Sequence, residues 1–96
     1  MSLHNIRHET PTLNDIIIDR TSLLGNPYKI GFRGLTRKEV IEMYEVYARN
    51  LIVTQPKFRA AIINTESRRL FCWCVPLDCH GRIIEMLAKE IRDGKI

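Results

Sequence analysis

The stretch Asp15-Ile16-Ile17-Ile18-Asp19 is β-branched and continuously apolar at its centre, which predicts a central strand covered on both faces. A second strand is predicted from Arg69 to Val75, where strand formers are frequent and Pro76 closes the run. A shorter alternation of apolar and polar residues over Leu3 to Arg7 fits an edge strand. Together these segments predict a sheet of three strands.

Helices are predicted between and after the two longer strands. Thr36 and Glu39 have the spacing of a capping box, so a helix is expected to begin there. Thr54 as N-cap and Pro56 in the first turn would open a shorter helix that ends near Asn64. The predicted inward stripes of the three helices are Val40, Tyr44, Tyr47, Ala48 and Leu51; Phe58, Ala61 and Ile62; and Ile83, Ile84, Leu87, Ala88 and Ile91.

The alternation of strands and helices predicts one α/β domain over residues 1–96, with a mostly parallel three-stranded sheet and flanking helices. A chain of 96 residues is long enough for a single core. Apolar residues make up 45% and charged residues 27%, which excludes a disordered tail or a fibrous repeat.

The sequence also predicts a cytoplasmic protein with no membrane partner. It contains no apolar run long enough to span a bilayer and no recognisable secretion signal at its beginning. The three cysteines all lie between positions 72 and 79, and an odd number fits a reducing compartment better than a disulfide framework.

Positive charge is concentrated in one loop. The net charge is +4, and no acidic residue lies between Asp19 and Glu39, a segment with five cations: Arg20, Lys29, Arg33, Arg37 and Lys38. Nucleic acid is a possible partner but a weakly supported one, because only Tyr28 and Phe32 supply aromatic rings in this segment.

A ligand site is expected beyond the carboxyl ends of the parallel strands, where ligands bind in folds of this class. The first long strand leads into an irregular loop from Arg20 to Leu35, and loops of that length inside compact domains are usually functional. The second leads to the start of the last helix. The predicted ligand-binding residues are Arg20, Gly25, Asn26, Pro27, Arg33, Arg37, Cys79, His80 and Gly81.

Each part of this predicted site has a chemical reason and an alternative. Arg20 suits a phosphate, and its alternative role is a salt bridge with Asp19. Asn26 suits a base or ribose, and its alternative role is a simple turn. Cys79 and His80 stand where a helix begins, a position that favours anions and lowers a thiol pKa. The alternative for them is ordinary helix-start chemistry.

The cysteines and His80 also suggest a zinc site, but strand geometry argues against it. In an extended strand Cys72 and Cys74 would lie about 7 Å apart, too far for two thiolates on one ion unless the chain kinks at Trp73. The sequence therefore predicts no metal and no other cofactor, with Cys72 and Cys74 packed under a helix and Trp73 in the core.

Three short motifs suggest a family: Gly25-Asn26-Pro27, Cys72-Trp73-Cys74-Val75-Pro76 and Cys79-His80-Gly81. Together with Arg20 and Tyr44, they resemble the bacterial and phage family called domain of unknown function 4326. The resemblance extends from about Leu3 to Ile91. The stretch from Ile18 to Pro27 looks like the strand-end arginine and loop of the family, and the resemblance implies no particular activity.

Three functions are compatible with these features. The first is a binding protein for a phosphate-bearing, nucleotide-like small molecule, which in a phage could sequester a nucleotide signal. The second is a small nucleotide-processing enzyme that uses Cys79 or His80. The third is a zinc-supported interaction or nucleic-acid module. A homo-oligomer is also expected, because a small sheet with an open edge favours association.

Overall fold

A computed structural model of the protein describes residues 2–74 and 77–96. Its elements are three strands, β1 (Ser2–Asn5), β2 (Ile16–Ile17) and β3 (Arg69–Cys72), and three α-helices, α1 (Arg37–Thr54), α2 (Pro56–Ile63) and α3 (Gly81–Arg92). A 3-10 helix at Phe32–Gly34 interrupts the long loop between β2 and α1. The predicted single α/β architecture with a parallel sheet is confirmed.

The sheet is entirely parallel, with the strand order β1-β3-β2. Leu70 pairs with Leu3 on one side and with Ile16 on the other. The central strand is therefore β3, and the prediction that residues 15–19 form the central strand is wrong. Ile17 lies on an edge and is 41% exposed, whereas Ile18, whose amide donates to the Phe71 carbonyl of β3 at 2.9 Å, is fully buried in the core.

The second strand is shorter than predicted. It ends at Cys72, and the chain bends at Trp73. Trp73 is 49% exposed, which corrects the prediction that it belongs to the core. Val75 and Pro76, which were expected to close this strand, lie outside the described residues.

The predicted capping box opens α1. The Thr36 hydroxyl accepts a hydrogen bond from the Glu39 amide at 3.2 Å, and the Glu39 carboxylate accepts one from the Thr36 amide at 3.1 Å. The helix continues to Thr54, so Gln55 and not Thr54 is the N-cap of α2. The capping box matters for the site because it fixes the position of Arg37 in the first turn.

One face of the helices packs on the sheet to form the core. Its largest fully buried side chains include Tyr44, Phe58, Ile62, Leu70, Phe71, Ile84 and Leu87. In α1 the inward positions are Val40, Ile41, Tyr44, Ala48 and Ile52, whereas the predicted Tyr47 and Leu51 are only partly buried. No helix in the described part of the chain is both long and apolar enough to cross a membrane.

Candidate functional site

A pocket of about 310 Å³ lies at the carboxyl ends of β2 and β3. It is bounded by the residues after each of these strands, the loop between β2 and α1, the first turns of α1, and the segment that leads into α3. Its lining residues are Asp19, Arg20, Thr21, Asn26, Tyr28, Ile30, Arg37, Val40, Ile41, Cys72, Trp73, Cys74, Asp78, Cys79 and His80. The predicted meeting point of the loop and the helix start is thus a cavity.

The nine predicted site residues divide into two groups. Those that line the pocket are Arg20, Asn26, Arg37, Cys79 and His80. Those that do not are Gly25, Pro27, Arg33 and Gly81. Arg33 lies in the exposed 3-10 helix, where its guanidinium stacks 5.3 Å from the Phe32 ring centre.

Gly25 and Asn26 hold the loop in place. A Cβ atom at Gly25 would lie 2.2 Å from the carbonyl oxygen of Asp19, so only glycine allows the loop to pass this closely over the end of β2. The Asn26 side chain is buried; its amide donates to the Val40 carbonyl at 3.0 Å and its oxygen accepts from the Tyr28 amide at 2.9 Å. These bonds anchor the loop to α1 and shape the wall of the pocket.

Gly81 also has a packing role. A Cβ atom there would lie 2.4 Å from Leu3 Cδ2 and 2.9 Å from Ile18 Cδ1. The glycine therefore lets the start of α3 approach the sheet closely, which brings the preceding Cys79 and His80 to the pocket.

The amides at the start of α3 are largely occupied. The Cys79 amide donates to the Asp78 carboxylate at 3.0 Å, the Gly81 amide to Cys79 Sγ at 3.4 Å, and the Arg82 amide to the Cys79 carbonyl at 3.1 Å. Asp78 also forms an ion pair with Arg82. An anion in the pocket would thus have to be bound mainly by side chains.

Two arginines supply positive charge to the pocket. Arg20 is exposed and makes no hydrogen bond or ion pair within residues 2–74 and 77–96. Arg37 donates to the main-chain carbonyl of Asp78 at 3.0 Å, a neutral acceptor. Arg20 has no carboxylate partner among the residues that the structure describes, whereas the Asp78 carboxylate interacts electrostatically with Arg37.

Asp19 is engaged elsewhere, although Arg20 follows it directly. One carboxylate oxygen accepts from the Thr21 hydroxyl and amide, and the other accepts from the Trp73 indole at 3.1 Å. The hydrogen bond from the Thr21 hydroxyl is the main reason that the pKa of Asp19 is lowered. The alternative in which Asp19 orients Arg20 through a salt bridge is therefore wrong for this structure.

The three cysteine sulfurs form a cluster at the floor of the pocket. The Sγ atoms of Cys72, Cys74 and Cys79 all lie within 4.8 Å of one another, and the Cys72 and Cys79 sulfurs are 3.1 Å apart. The expected separation of about 7 Å between Cys72 and Cys74 assumed an extended strand, and the bend at Trp73 removes that condition. Cys72 and Cys79 are buried, while Cys74 is partly exposed.

The thiols of the cluster are not equivalent. Hydrogen bonds from Cys72 and Cys79, together with the neighbouring Arg37 guanidinium, hold the pKa of Cys74 well below its usual range. Hydrogen bonding to Cys72 and Cys74, together with burial, raises the pKa of Cys79. Cys74 therefore differs from Cys79 both in exposure and in its hydrogen-bonding environment.

His80 is held in a defined orientation beside the cluster. Its Nε2 lies 2.6 Å from the Ile18 carbonyl oxygen, which can only accept, so Nε2 carries the proton. In the neutral ring Nδ1 is then an acceptor, and it lies 3.6 Å from Cys79 Sγ. Burial lowers the pKa of His80 and so favours the neutral ring.

Sequence reasoning missed Tyr28, Trp73 and Cys74 as residues of the pocket. Tyr28 directly follows the predicted turn, so its position next to Asn26 and Pro27 was an available signal. Trp73 and Cys74 were assigned by the alternation of an extended strand, which no longer applies beyond Cys72.

The chain belongs to the family described as Domain of unknown function (DUF4326), whose model matches residues 2–90. No curated protein and no solved structure matches it significantly. The family assignment covers all three strands and nearly all of α3, so it includes every element that surrounds the pocket.

Proposed function

We propose that this member of the family binds a phosphate-bearing, nucleotide-like small molecule in the pocket at the carboxyl ends of β2 and β3. The observation that carries the proposal is Arg20, a pocket-lining arginine with no partner in the described part of the chain. An arginine offers a planar set of donors that matches phosphate oxygens, and a second cation, Arg37, lines the same cavity.

The remaining walls suit the base and sugar of such a ligand. Tyr28 and Trp73 contribute aromatic rings, and Ile30, Val40 and Ile41 contribute apolar surface. Aromatic rings stack on nucleobases without requiring a particular base. A charged rim beside an apolar, aromatic wall is the combination that a nucleotide requires.

The size of the cavity limits the ligand class. Ligand pockets usually occupy about 300 to 1,000 Å³, and this pocket of about 310 Å³ lies at the lower end. A mononucleotide or a compound of similar size therefore fits the proposal better than a dinucleotide or a nucleic-acid strand.

Isothermal titration calorimetry with nucleoside mono- and diphosphates, the matching nucleosides and inorganic phosphate tests the proposal. At least one nucleotide is expected to bind with a Kd of about 1 mM or tighter, and its nucleoside about 10- to 100-fold more weakly, because charge-assisted hydrogen bonds are lost. Binding weaker than about 1 mM for every nucleotide contradicts the proposal. Equal affinity for inorganic phosphate contradicts its nucleotide part.

The contact between Cys79 and His80 favours a second candidate, a nucleotide-processing enzyme. His80 is oriented by the Ile18 carbonyl and presents Nδ1 to Cys79, the arrangement of a base beside a nucleophile. The raised pKa and burial of Cys79 oppose this role, because the thiolate is the nucleophile. Multiple-turnover loss of a nucleotide, abolished in Cys79→Ser and in His80→Ala, would support the enzyme; intact nucleotide after prolonged incubation would support simple binding.

Association of the chain with itself remains part of the proposal. β1 pairs only with β3 within the described residues, so its outer edge is available to a second sheet. Light scattering is expected to give at least the mass of a dimer, and a monomer mass of 11.2 kDa contradicts it.

A further inference from the structure

We propose that Cys72, Cys74 and Cys79 bind a zinc ion at the floor of the pocket, with the fourth coordination position open to the cavity. Zinc binding at this site does not depend on the nucleotide ligand. The positions of the sulfurs support it, because all three Sγ atoms lie within 4.8 Å of one another.

The sulfur spacing is close to what zinc requires. Zinc–sulfur bonds are about 2.3 Å long, so two thiolates on a tetrahedral ion lie about 3.8 Å apart. Cys72 and Cys79 are slightly closer than this, at 3.1 Å, and no pair exceeds 4.8 Å. Sub-ångström shifts of side chains would therefore place one ion in contact with all three sulfurs.

The backbone is shaped to bring the sulfurs together. The chain leaves the strand at Trp73, where the Asn5 side-chain amide donates to the Trp73 carbonyl at 3.3 Å and the Trp73 indole donates to Asp19 at 3.1 Å. These two bonds fix both the main chain and the side chain of the bend. As a result Cys74 turns back toward Cys72, although an extended strand would separate the two sulfurs.

The surroundings compensate the charge of such a site. Three thiolates and one Zn²⁺ carry a net charge of −1, and the Arg37 guanidinium lines the same cavity as Cys74. The Gly81 amide donates to Cys79 Sγ at 3.4 Å. Hydrogen-bond donors aimed at ligand atoms orient the ligands and tune the metal in protein sites.

The fourth position is assigned to the pocket because no other His, Cys, Asp or Glu ligand atom of the described residues joins the three sulfurs. Among the described residues, the group of mutually close ligand atoms comprises the three sulfurs and does not include His80 Nδ1. All three cysteines line the cavity, so an ion among them faces it. A water molecule, or an oxygen or nitrogen donor of the bound ligand, would be the fourth ligand, as in zinc sites that keep an open position.

Metal analysis of the purified, reduced protein tests the site. After incubation with zinc and removal of excess ion, we expect about one zinc per chain, together with release of protons from the thiols. Cys74→Ser is expected to lose most of the zinc, and because Cys74 is partly exposed this variant has the best prospect of folding. His8→Ala, which removes an exposed histidine outside the pocket, is the control and is expected to retain the ion.

A measurement on the unaltered protein avoids dependence on folding of the variants. Alkylation of Cys74 by iodoacetamide, followed by mass spectrometry, should be slowed at least tenfold by zinc and restored by a chelator, because a coordinated thiolate is protected. Less than about a tenth of a zinc per chain, alkylation unaffected by zinc, or a Cys72–Cys79 disulfide in the protein as isolated would each overturn the metal site.

Cobalt substitution tests the open position. Co²⁺ in the site should give the charge-transfer and visible bands of a tetrahedral thiolate complex, and added imidazole should shift the visible bands. No response of the visible bands to imidazole would overturn the open position. These experiments contain no nucleotide, so their failure is distinguishable from failure of the proposed nucleotide binding.

Discussion

The two ends of the sheet carry arginines in opposite states. At the amino ends of β2 and β3, a concave region of about 390 Å³ contains Arg69, which pairs with Asp15 at 2.7 Å and with Glu9 at 3.3 Å. At the carboxyl ends, the pocket of about 310 Å³ contains Arg20, which has no partner among the described residues. Arg69 at one end of the sheet is thus paired with carboxylates, and Arg20 at the other end is not.

This difference separates a structural cation from a candidate ligand-binding cation. Arg69 donates from Nε and Nη2 to the two oxygens of Asp15, at 3.0 and 2.7 Å, and from Nη1 to Glu9 at 3.3 Å, so its planar set of donors is shared between two carboxylates. Arg20 has the same donor set and leaves it to solvent or to a ligand. Volume does not distinguish the two regions; the pairing of Arg69 and the lack of a partner for Arg20 among the described residues do.

The largest expected effect comes from Gly25→Ala, which disturbs the pocket end alone. The added Cβ would lie 2.2 Å from the Asp19 carbonyl oxygen, so the loop must move away from the end of β2. We expect a loss of about 1 to 3 kcal/mol in the free energy of unfolding, as for other overpacked sites, together with loss of nucleotide binding. Urea denaturation and calorimetry measure the two effects.

Gly94→Ala is the matched control for this change. Gly94 follows α3 with a φ of 75° and has open space where a Cβ would lie. The substitution is expected to cost stability through backbone strain and to leave nucleotide affinity unchanged. If both variants lower affinity equally, general destabilisation and not the position of the loop explains the loss.

Arg20→Ala and Arg69→Ala should have opposite effects. Arg20→Ala is expected to weaken nucleotide binding about 10- to 100-fold with an unchanged unfolding temperature, because it removes charge-assisted bonds to the ligand alone. Arg69→Ala is expected to lower the unfolding temperature by a few degrees and to leave affinity unchanged, because it leaves Asp15 without its partner. Calorimetric titration and thermal denaturation of both variants measure this.

Arg33→Ala controls for the loss of one positive charge from the loop. Arg33 lies in the same segment as Arg20 but does not line the pocket. Its removal is expected to change nucleotide affinity less than threefold at physiological salt, where long-range attraction is screened. An equal loss of affinity in the two variants would mean that the net charge of the loop, and not a contact by Arg20, attracts the ligand.

The paired end also predicts a dependence of stability on pH. The hydrogen bond from Arg69 lowers the pKa of Asp15 well below its ordinary value of 3.8. A carboxyl group whose pKa is lower in the folded than in the unfolded protein stabilises the fold at pH values above its unfolded pKa. This stabilisation is lost as the pH falls through the folded pKa. The wild-type protein should therefore exceed Asp15→Asn in stability at pH 7, and the difference should shrink below about pH 3.8.

Urea denaturation of both proteins at several pH values tests this dependence. The carboxyl groups at the pocket end, such as Asp19, are present in both proteins, so their titration cancels in the comparison. A difference in stability that stays constant from neutral pH to below pH 3 would contradict the assignment of Asp15 as the paired group.

The parts of this comparison that depend on local chemistry could be predicted from the sequence. The capping box of Thr36 and Glu39, the edge strand β1 and the convergence of the loop with the start of α3 are set by neighbouring residues or by the general geometry of parallel sheets. The role of Arg20 at the pocket was also accessible, because it directly follows a strand end.

The cysteine cluster could not be predicted, because long-range contacts create it. The bend at Trp73 is fixed by Asn5 and Asp19, which are 68 and 54 positions away in the sequence. The alternation of apolar and polar residues contains no information about these partners, so it predicts an extended strand. The position of β2 at the edge of the sheet could not be predicted either. Three consecutive isoleucines fit a central strand, but the third of them, Ile18, is buried after the strand has ended.

The smallest expected effect concerns the helix that carries Arg37 to the pocket. Thr36→Ala removes the hydroxyl that accepts from the Glu39 amide, and loss of such an N-cap costs about 1 kcal/mol in the free energy of unfolding. Fraying of the first turn also releases Arg37, so nucleotide affinity should fall, but less than in Arg37→Ala. Thr54→Ala, at the other end of the same helix, is the control and should leave affinity unchanged. If Thr36→Ala weakens binding as much as Arg37→Ala does, the order of the helix start determines affinity, and a direct contact from the Arg37 guanidinium does not.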